Sequence, residues 1–264
     1  ECPVITVAGT NGKGTCATVS AAVLRKHGMR TGLYTSPHLV AYNERIRIDG
    51  RPRDDDEIIA AFDEIDRARG KTSLTYFEFG TLAALVVFRH HKVDAVVLEV
   101  GLGGRLDAMN IVDADVALLS SIGVDHTDWL GCDRESIGRE KSGIFRPARP
   151  AVCGDSEPPS SVPEEAARIG AGLRVLGRDF TLHQTGRGWH WQGQRGCLRD
   201  LPLPSLAGAH QLANAASVLM VLELLGERLP VTRQAIESGL RWARLPGRIE
   251  TIPGRVEQVL DVSH

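Results

Sequence analysis

The chain has 264 residues, of which 42% are hydrophobic and 24% charged, and its formal net charge is -2. That length carries one large α/β domain, or one domain with a small attachment, and that charge gives no general pull toward nucleic acid or an anionic membrane. Apolar runs such as 81–88 and 93–98 are too short to span a bilayer, no secretory signal precedes Val4, and the five scattered cysteines contain no C-x-x-C, so a reducing, cytoplasmic setting is expected, without disulfide framework or zinc site.

Residues 3–8 form a short β-branched apolar run bounded by glycine, which predicts a buried strand. A turn from Gly9 to Thr15 follows, then a helix over 16–26 with Val19, Ala22 and Val23 at helical spacing, ending near Gly28. Residues 31–35 read as a second strand. Asp54–Asp56 supply a cap for a helix with apolar face Ile58, Ile59, Phe62 and Ile65. A strongly apolar helix is expected over 76–91, strands over 94–100, 116–122 and 151–154, and a helix over 164–169. Strands apolar along their whole length and alternating with helices predict a mostly parallel sheet covered on both faces.

After Gly177 the pattern changes. Residues 178–201 hold Gly186, Gly188, Gly193 and Gly196 between short alternating runs and read as a small antiparallel meander at the domain edge. Two more helices are expected over 209–225 and 232–243. Residues 256–262 read as a new strand without a partner after it. The ends therefore read as cut, with a central domain over 1–254 and the start of a further domain over 255–264.

The chemistry-bearing residues cluster at strand ends. Gly9, Thr10, Asn11, Gly12, Lys13, Gly14 and Thr15 join the first strand to a helix, where backbone N–H groups and the helix dipole favour an anion. Lys13 adds a mobile cation for the β/γ phosphates of a nucleotide, and Thr10, Asn11 and Thr15 can donate or accept around phosphates and a metal. The spacing departs from G-x-x-x-x-G-K-[ST], because Val7 stands where the first glycine belongs and Gly14 separates Lys13 from Thr15. Glu99 closes a buried strand, where a Mg²⁺-holding carboxylate belongs. Gly101, Gly103 and Gly104 let backbone approach a ligand, with Arg105 and Asp107 in the same loop. His126 follows another strand end. Lys141 beside Glu140 reads, on residue type alone, as a helix-surface ion pair.

These segments resemble the Mur ligase superfamily and, within it, the folate branch of bifunctional dihydrofolate synthase/folylpolyglutamate synthase. The resemblance rests on eight stretches in the family's order: 9–15, 35–39 (Thr35-Ser-Pro-His-Leu39), 75–81, 98–107, 125–128, 138–144, 210–215 and 245–248. It implies an ATP-dependent amide ligase with a P-loop-type, mostly parallel α/β central domain. The γ-phosphoryl group would pass to a carboxylate of dihydropteroate or of a folate's terminal glutamate, and L-glutamate would attack the acyl phosphate.

By the same resemblance, Ser36, Glu99, His126 and Lys141, the last as a carbamate, hold Mg²⁺, two ions, with a monovalent cation such as K⁺ beside them. Thr75, Phe77, Glu78, Arg105, Leu106 and Asp107 hold the pteridine-bearing substrate. Asn214, Arg248 and Asp261 contact ATP, and Lys13, His126, Lys141 and Arg248 carry the catalytic roles. A monomer is implied, with no nucleic-acid or membrane partner. A muramyl-peptide ligase is the nearest alternative, disfavoured by the 35–38 and 76–79 segments. A phosphate-loop switch ATPase is a third reading, and a nucleotide-binding fragment without catalysis a fourth.

Overall fold

The computed structural model describes residues 2–262 apart from 207, 209, 227, 248, 249, 253, 255 and 257. The chain opens with β1 (Val4–Ala8), α1 (Lys13–Lys26) and β2 (Thr31–Tyr34). A hairpin of β3 (Ile46–Ile48) and β4 (Arg51–Pro52) precedes α2 (Asp55–Arg69), α3 (Tyr76–His90) and β5 (Ala95–Glu99). Then come β6 (Val116–Leu119), the short α4 (Thr127–Leu130), α5 (Arg134–Ser142), β7 (Pro150–Cys153), α6 (Ser161–Ile169) and β8 (Gly172–Val175). The last part holds β9 (Thr181–Gln184), β10 (Trp189–Gln192), β11 (Cys197–Leu201), α7 (His210–Leu224), α8 (Arg233–Trp242), β12 (Glu250–Ile252) and β13 (Gln258–Leu260).

Eight strands make one sheet in the order β4-β3-β2-β5-β1-β6-β7-β8. The six from β2 to β8 run parallel, and the β3–β4 hairpin adds an antiparallel edge. Alternation along each strand sends side chains to two different cores. Ile5, Val7, Val97 and Leu118 pack under α1, α7 and α8, while Ala8, Val96, Leu98 and Leu119 pack under α2, α3, α5 and α6. Both faces are thus covered, as the continuous apolar strands required. The carboxyl ends of β1, β2, β5 and β6 open on one edge, with β1 between β5 and β6, the position where α/β sheets bind ligands.

One expectation is corrected, on α2, and three others gain detail. The expected helix over 16–26 is present as part of α1, with Val19, Ala22 and Val23 buried. Every residue from Thr15 to Leu24 is buried, because the sheet lies on one side and α7 and α8 cover the other. On α2, Ile59 faces outward at 54% exposure, and Ala61 fills the buried stripe with Ile58 and Ile65. The meander is antiparallel as expected, and it also contributes to the core. Trp189, Trp191 and Leu201 enter the core over α7, and the Trp191 Nε1 donates to the Ala216 carbonyl at 3.1 Å. Among the described residues the terminal strand has no later partner but pairs with the one before it, β13 running antiparallel to β12. That hairpin crosses the 254/255 boundary.

Candidate active site

The phosphate loop is shaped from outside. Gly9 has φ +147°, and a Cβ there would stand 2.0 Å from Ser120 Oγ. The Thr10 amide donates to the Ser121 carbonyl at 2.7 Å and the Asn11 amide to Ser121 Oγ at 3.2 Å. Ser120 Oγ donates to the Asn11 carbonyl at 2.5 Å. Thr10 Oγ1 donates to the Gly123 carbonyl at 3.1 Å and accepts the Gly123 amide at 3.0 Å, so this hydroxyl holds the loop to β6. Gly12, at φ +82°, precedes α1, and no side chain caps that helix. An uncapped N-terminus on a buried helix leaves leading amides and the positive dipole end for an anion.

Two lysines meet at this loop. Lys13 Nζ donates to the carbonyls of Gly9 at 2.9 Å and Thr10 at 3.1 Å. Lys141 Nζ donates to the same Gly9 carbonyl at 3.0 Å. Lys141 is only 3% exposed, which overturns the surface ion-pair reading. It shares a buried helix face with Ile137, and Glu140 instead pairs with Arg105 at 2.9 Å. Burial, reinforced by the positive charge of Lys13 and opposed by Asp125, pushes the Lys141 ammonium down to about 8.

Glu99 ends β5 and is 4% exposed. Its Oε2 accepts the Ser36 amide at 3.0 Å, tying the end of β2 to the end of β5. A Cβ on Gly14 would lie 3.5 Å from Glu99 Oε1, so the carboxylate sits against the first turn of α1. His126 precedes α4 in the left-handed region at φ 51°, half exposed, with Nε2 3.5 Å from Asp125 Oδ2. Such a backbone for a non-glycine residue is uncommon and marks a position worth a functional test. Among the described residues, no three His, Cys, Asp or Glu side chains stand together as a metal cluster. The donor set of Ser36, Glu99, His126 and Lys141 contains only two residues of those types. A buried carboxylate beside a hydroxyl-bearing residue, next to the uncapped end of α1, nevertheless suits a hard, water-retaining cation such as Mg²⁺.

Of the residues expected to hold the acceptor, Glu78, Arg105, Leu106 and Asp107 line a cleft of about 380 Å³ between α3 and the 101–111 loop, whereas Thr75 lines a neighbouring aromatic cleft with Tyr42 and Phe62, and Phe77 lines neither. Asp107 has a second duty. Its Oδ2 accepts the amides of Gly101 at 3.0 Å and Leu102 at 2.9 Å, and its Oδ1 accepts that of Met109 at 2.9 Å. Burial raises its carboxyl above the ordinary range, against the pull of these hydrogen bonds. Thr75 and Glu78 form a capping box on α3, with the Glu78 amide donating to Thr75 Oγ1 at 3.2 Å and the Thr75 amide to Glu78 Oε2 at 2.7 Å. Phe77 lies beneath the glycine loop, 2.6 Å from where a Gly101 Cβ would stand, and meets Tyr34 edge-on at 6.0 Å.

The distant segments return to this edge. Asn214 on α7 presses on Gly12, with its Oδ1 2.6 Å from a Cβ placed there, and donates Nδ2 to Gln211 Oε1 at 3.0 Å. Leu245 lies 3.3 Å from a Gly14 Cβ. The Val262 amide donates to the Gly247 carbonyl at 2.9 Å, which puts exposed Asp261 in the segment packed near Leu39. Arg248 lies outside the described residues. Ser120 and Ser121 shape the loop but do not figure in the sequence reading, although two serines at a strand end beside a glycine loop were the available signal.

A family profile described as the Mur ligase middle domain matches residues 7–222. The chain belongs to the Mur ligase family. This middle domain is 48% identical over 261 residues to the dihydrofolate synthase/folylpolyglutamate synthase of Escherichia coli K12, covering 99% of the chain and 60% of that protein. The solved structure of E. coli FolC in complex with DHPP and ADP superposes with a TM-score of 0.95 at 48% identity, over 99% of this chain and 62% of that one. The bifunctional enzyme of Yersinia pestis complexed with AMPPNP and Mn superposes at 0.93 with 50% identity, over 99% and 62%. The chain thus spans about three-fifths of the length of these relatives. Among the described residues no helix is long and apolar enough to cross a membrane.

Proposed function

We propose that this middle domain is the ATP-binding part of a ligase that joins L-glutamate to dihydropteroate, to the terminal glutamate of a reduced folate, or to both. The observation that carries the reading is the convergence of the phosphate loop, Glu99 and buried Lys141 on one sheet edge, beside a cleft walled by α3 and the Asp107 loop. Lys13 and the backbone of 9–15 hold the β/γ phosphates, and Asn214, Arg248 and Asp261 complete the nucleotide site. Thr75, Phe77, Glu78, Arg105, Leu106 and Asp107 hold the pteridine-bearing acceptor. Ser36, Glu99, His126 and carbamylated Lys141 hold two Mg²⁺ ions, with K⁺ as a monovalent companion. The ions supply neutralisation of charge on the phosphoryl group.

The acceptor carboxylate oxygen attacks the γ-phosphorus, and the bond to the β-bridging oxygen breaks to release ADP. The amine of glutamate then attacks the acyl carbon, loses a proton, and inorganic phosphate departs. Neither step needs a covalent protein nucleophile. The chain's residues act by positioning and by charge, with Lys13 and Arg248 flanking the transferred group. Carbamylation begins with the neutral amine of Lys141 attacking CO₂ and losing a proton. The lowered pKa of that amine supports this step by enlarging the neutral fraction. The protein acts as a cytoplasmic monomer in this account, and residues 1–264 alone turn over slowly.

The test supplies the full-length protein with Mg-ATP and labelled L-glutamate, with dihydropteroate in one reaction and a reduced folate in another. Labelled product with either acceptor, lost in Lys13→Met, is expected. Product with neither overturns the assignment. Mass analysis of Lys141 after exposure to bicarbonate and chemical trapping examines the carbamate separately.

A further inference from the structure

Between the meander, α7 and α8 lies a cavity of about 410 Å³. Its inner lining includes Trp191 of β10, Leu222 of α7, Leu229 and Ile236 of α8, none of them more than 7% exposed. Arg195 and Cys197, both exposed, stand at its mouth. The wall on the meander side is fixed by hydrogen bonds and by close packing. Trp191 Nε1 donates to the Ala216 carbonyl on α7 at 3.1 Å, so the indole keeps its polar atom out of the cavity. Glu223 Oε1 accepts the Gln194 amide at 2.9 Å and its Oε2 the Arg195 amide at 3.1 Å, which ties the β10–β11 turn to α7. A Cβ on Gly193 would stand 2.2 Å from the Trp191 ring, so that turn packs directly on the indole.

A preformed cavity with a hydrocarbon lining and few polar groups is the usual shape of a small-molecule site. Such a lining offers water few hydrogen-bond partners, so apolar ligand atoms displace it favourably. Leucine, isoleucine and valine make up most of the apolar wall, which suits a flexible aliphatic chain better than a stack of flat rings. The charges at the rim decide the other end of the ligand. Glu223 is the one carboxylate of the described lining, and both of its oxygens are engaged by amides of the turn. Arg195 is the cation of that lining, and among the described residues no ion pair includes it. An oxyanion at the mouth complements that charge.

We propose that this cavity is a binding site for an aliphatic carboxylate of medium chain length. The hydrocarbon chain lies among Trp191, Leu222, Leu229 and Ile236, and the carboxylate accepts from the guanidinium of Arg195. None of the lining residues belongs to the phosphate loop, the metal set or the acceptor cleft, so the proposal stands or falls separately from the ligase reading.

The test titrates the protein with hexanoate, octanoate and octanamide while following the indole Nε1–H resonance of Trp191 by NMR. Octanoate is expected to shift that resonance and to bind about fifteenfold tighter than hexanoate, the factor for two methylenes at about 0.8 kcal/mol each. It should also bind about fivefold tighter than octanamide, the upper range for a solvent-exposed ion pair. Arg195→Gln should erase the preference for octanoate and leave octanamide unchanged. A second measurement does not depend on that variant. In a protein carrying Cys2→Ser and Cys132→Ser, Cys197 is the remaining exposed thiol, and saturating octanoate should slow its reaction with N-ethylmaleimide at least about fivefold. Hexanoate as tight as octanoate, equal binding of octanoate and octanamide, a preference that survives Arg195→Gln, or an unchanged rate at Cys197 overturns the proposal.

Discussion

The phosphate loop and the 101–111 loop occupy neighbouring strand ends, but they are held in different proportions by their own residues and by the scaffold. The first is pinned by other segments: Ser120, Ser121 and Gly123 grip Thr10 and Asn11, and Asn214 presses on Gly12. The second is held largely from within, with Asp107 accepting three amides of its own loop and Asn110 donating to the Arg105 carbonyl at 3.1 Å, and is tied to α5 and the residue after it by the Arg105 amide donating to the Glu140 carbonyl at 2.9 Å and Asn110 Nδ2 to the Gly143 carbonyl at 3.0 Å. A loop that must point amides at an anion has its carbonyls and hydroxyls fixed by the scaffold. A loop that offers side chains to an organic ligand can leave Leu106 at 79% and Ile111 at 70% exposure. The difference concerns which groups are spent on folding and which remain for a ligand.

Substitutions can break this contrast. The largest effect is expected from Gly9→Ala, which puts a methyl 2.0 Å from Ser120 Oγ at φ +147°. It should cost about 3–4 kcal/mol in urea unfolding, because strain and overpacking act together. Lys141→Met should act in the other direction. The folded-state pKa of Lys141 lies at about 8, below its ordinary 10.5, so the folded chain binds this proton less tightly than the unfolded chain. Wild-type stability therefore rises with pH between those values. In CO₂-free buffer the variant should be more stable at pH 7 by roughly 2–3 kcal/mol, and its advantage should shrink by about 1.4 kcal/mol per pH unit above pH 8. An advantage independent of pH would count against a strained ammonium at this position.

Asp107→Asn sharpens the comparison. It removes an acceptor shared by Gly101 and Leu102, for a cost of about 2 kcal/mol. Hydrogen exchange should quicken at Gly101 and Leu102, whose shared acceptor is lost, and stay unchanged at Thr10 and Asn11, whose amides donate to Ser121. The smallest effect is expected from Thr75→Ala, which opens the α3 capping box at a cost of about 1 kcal/mol, read as a lowered melting temperature.

The sequence reveals the parallel strands because β1, β5 and β6 are apolar on both faces, and it reveals the phosphate loop because its glycines sit between a strand and a helix. The β3–β4 hairpin escaped although its signal was present. Ile46 and Ile48 alternate around Arg47, and Asp49 and Gly50, both at positive φ, make the turn. The capping box was equally available, as a threonine followed three residues later by a glutamate. Lys141 was harder to read. Only the i, i+4 relation to Ile137 hints at burial, and charge alone argues for the surface. The grip of Ser121 on Asn11 and the tie of the Arg105 amide to the Glu140 carbonyl depend on chain segments brought together by the fold, which no local pattern records.

The most direct measurement of the central claim is a calorimetric titration of Mg-ATP into the wild-type chain and the Gly9→Ala variant at a temperature where both are folded. The pinned loop and uncapped α1 should give saturable binding in the wild type, weakened at least about a hundredfold in the variant, the factor for a loss of roughly 2.7 kcal/mol. No saturable heat from the wild type, or equal affinity in both proteins, would contradict the account.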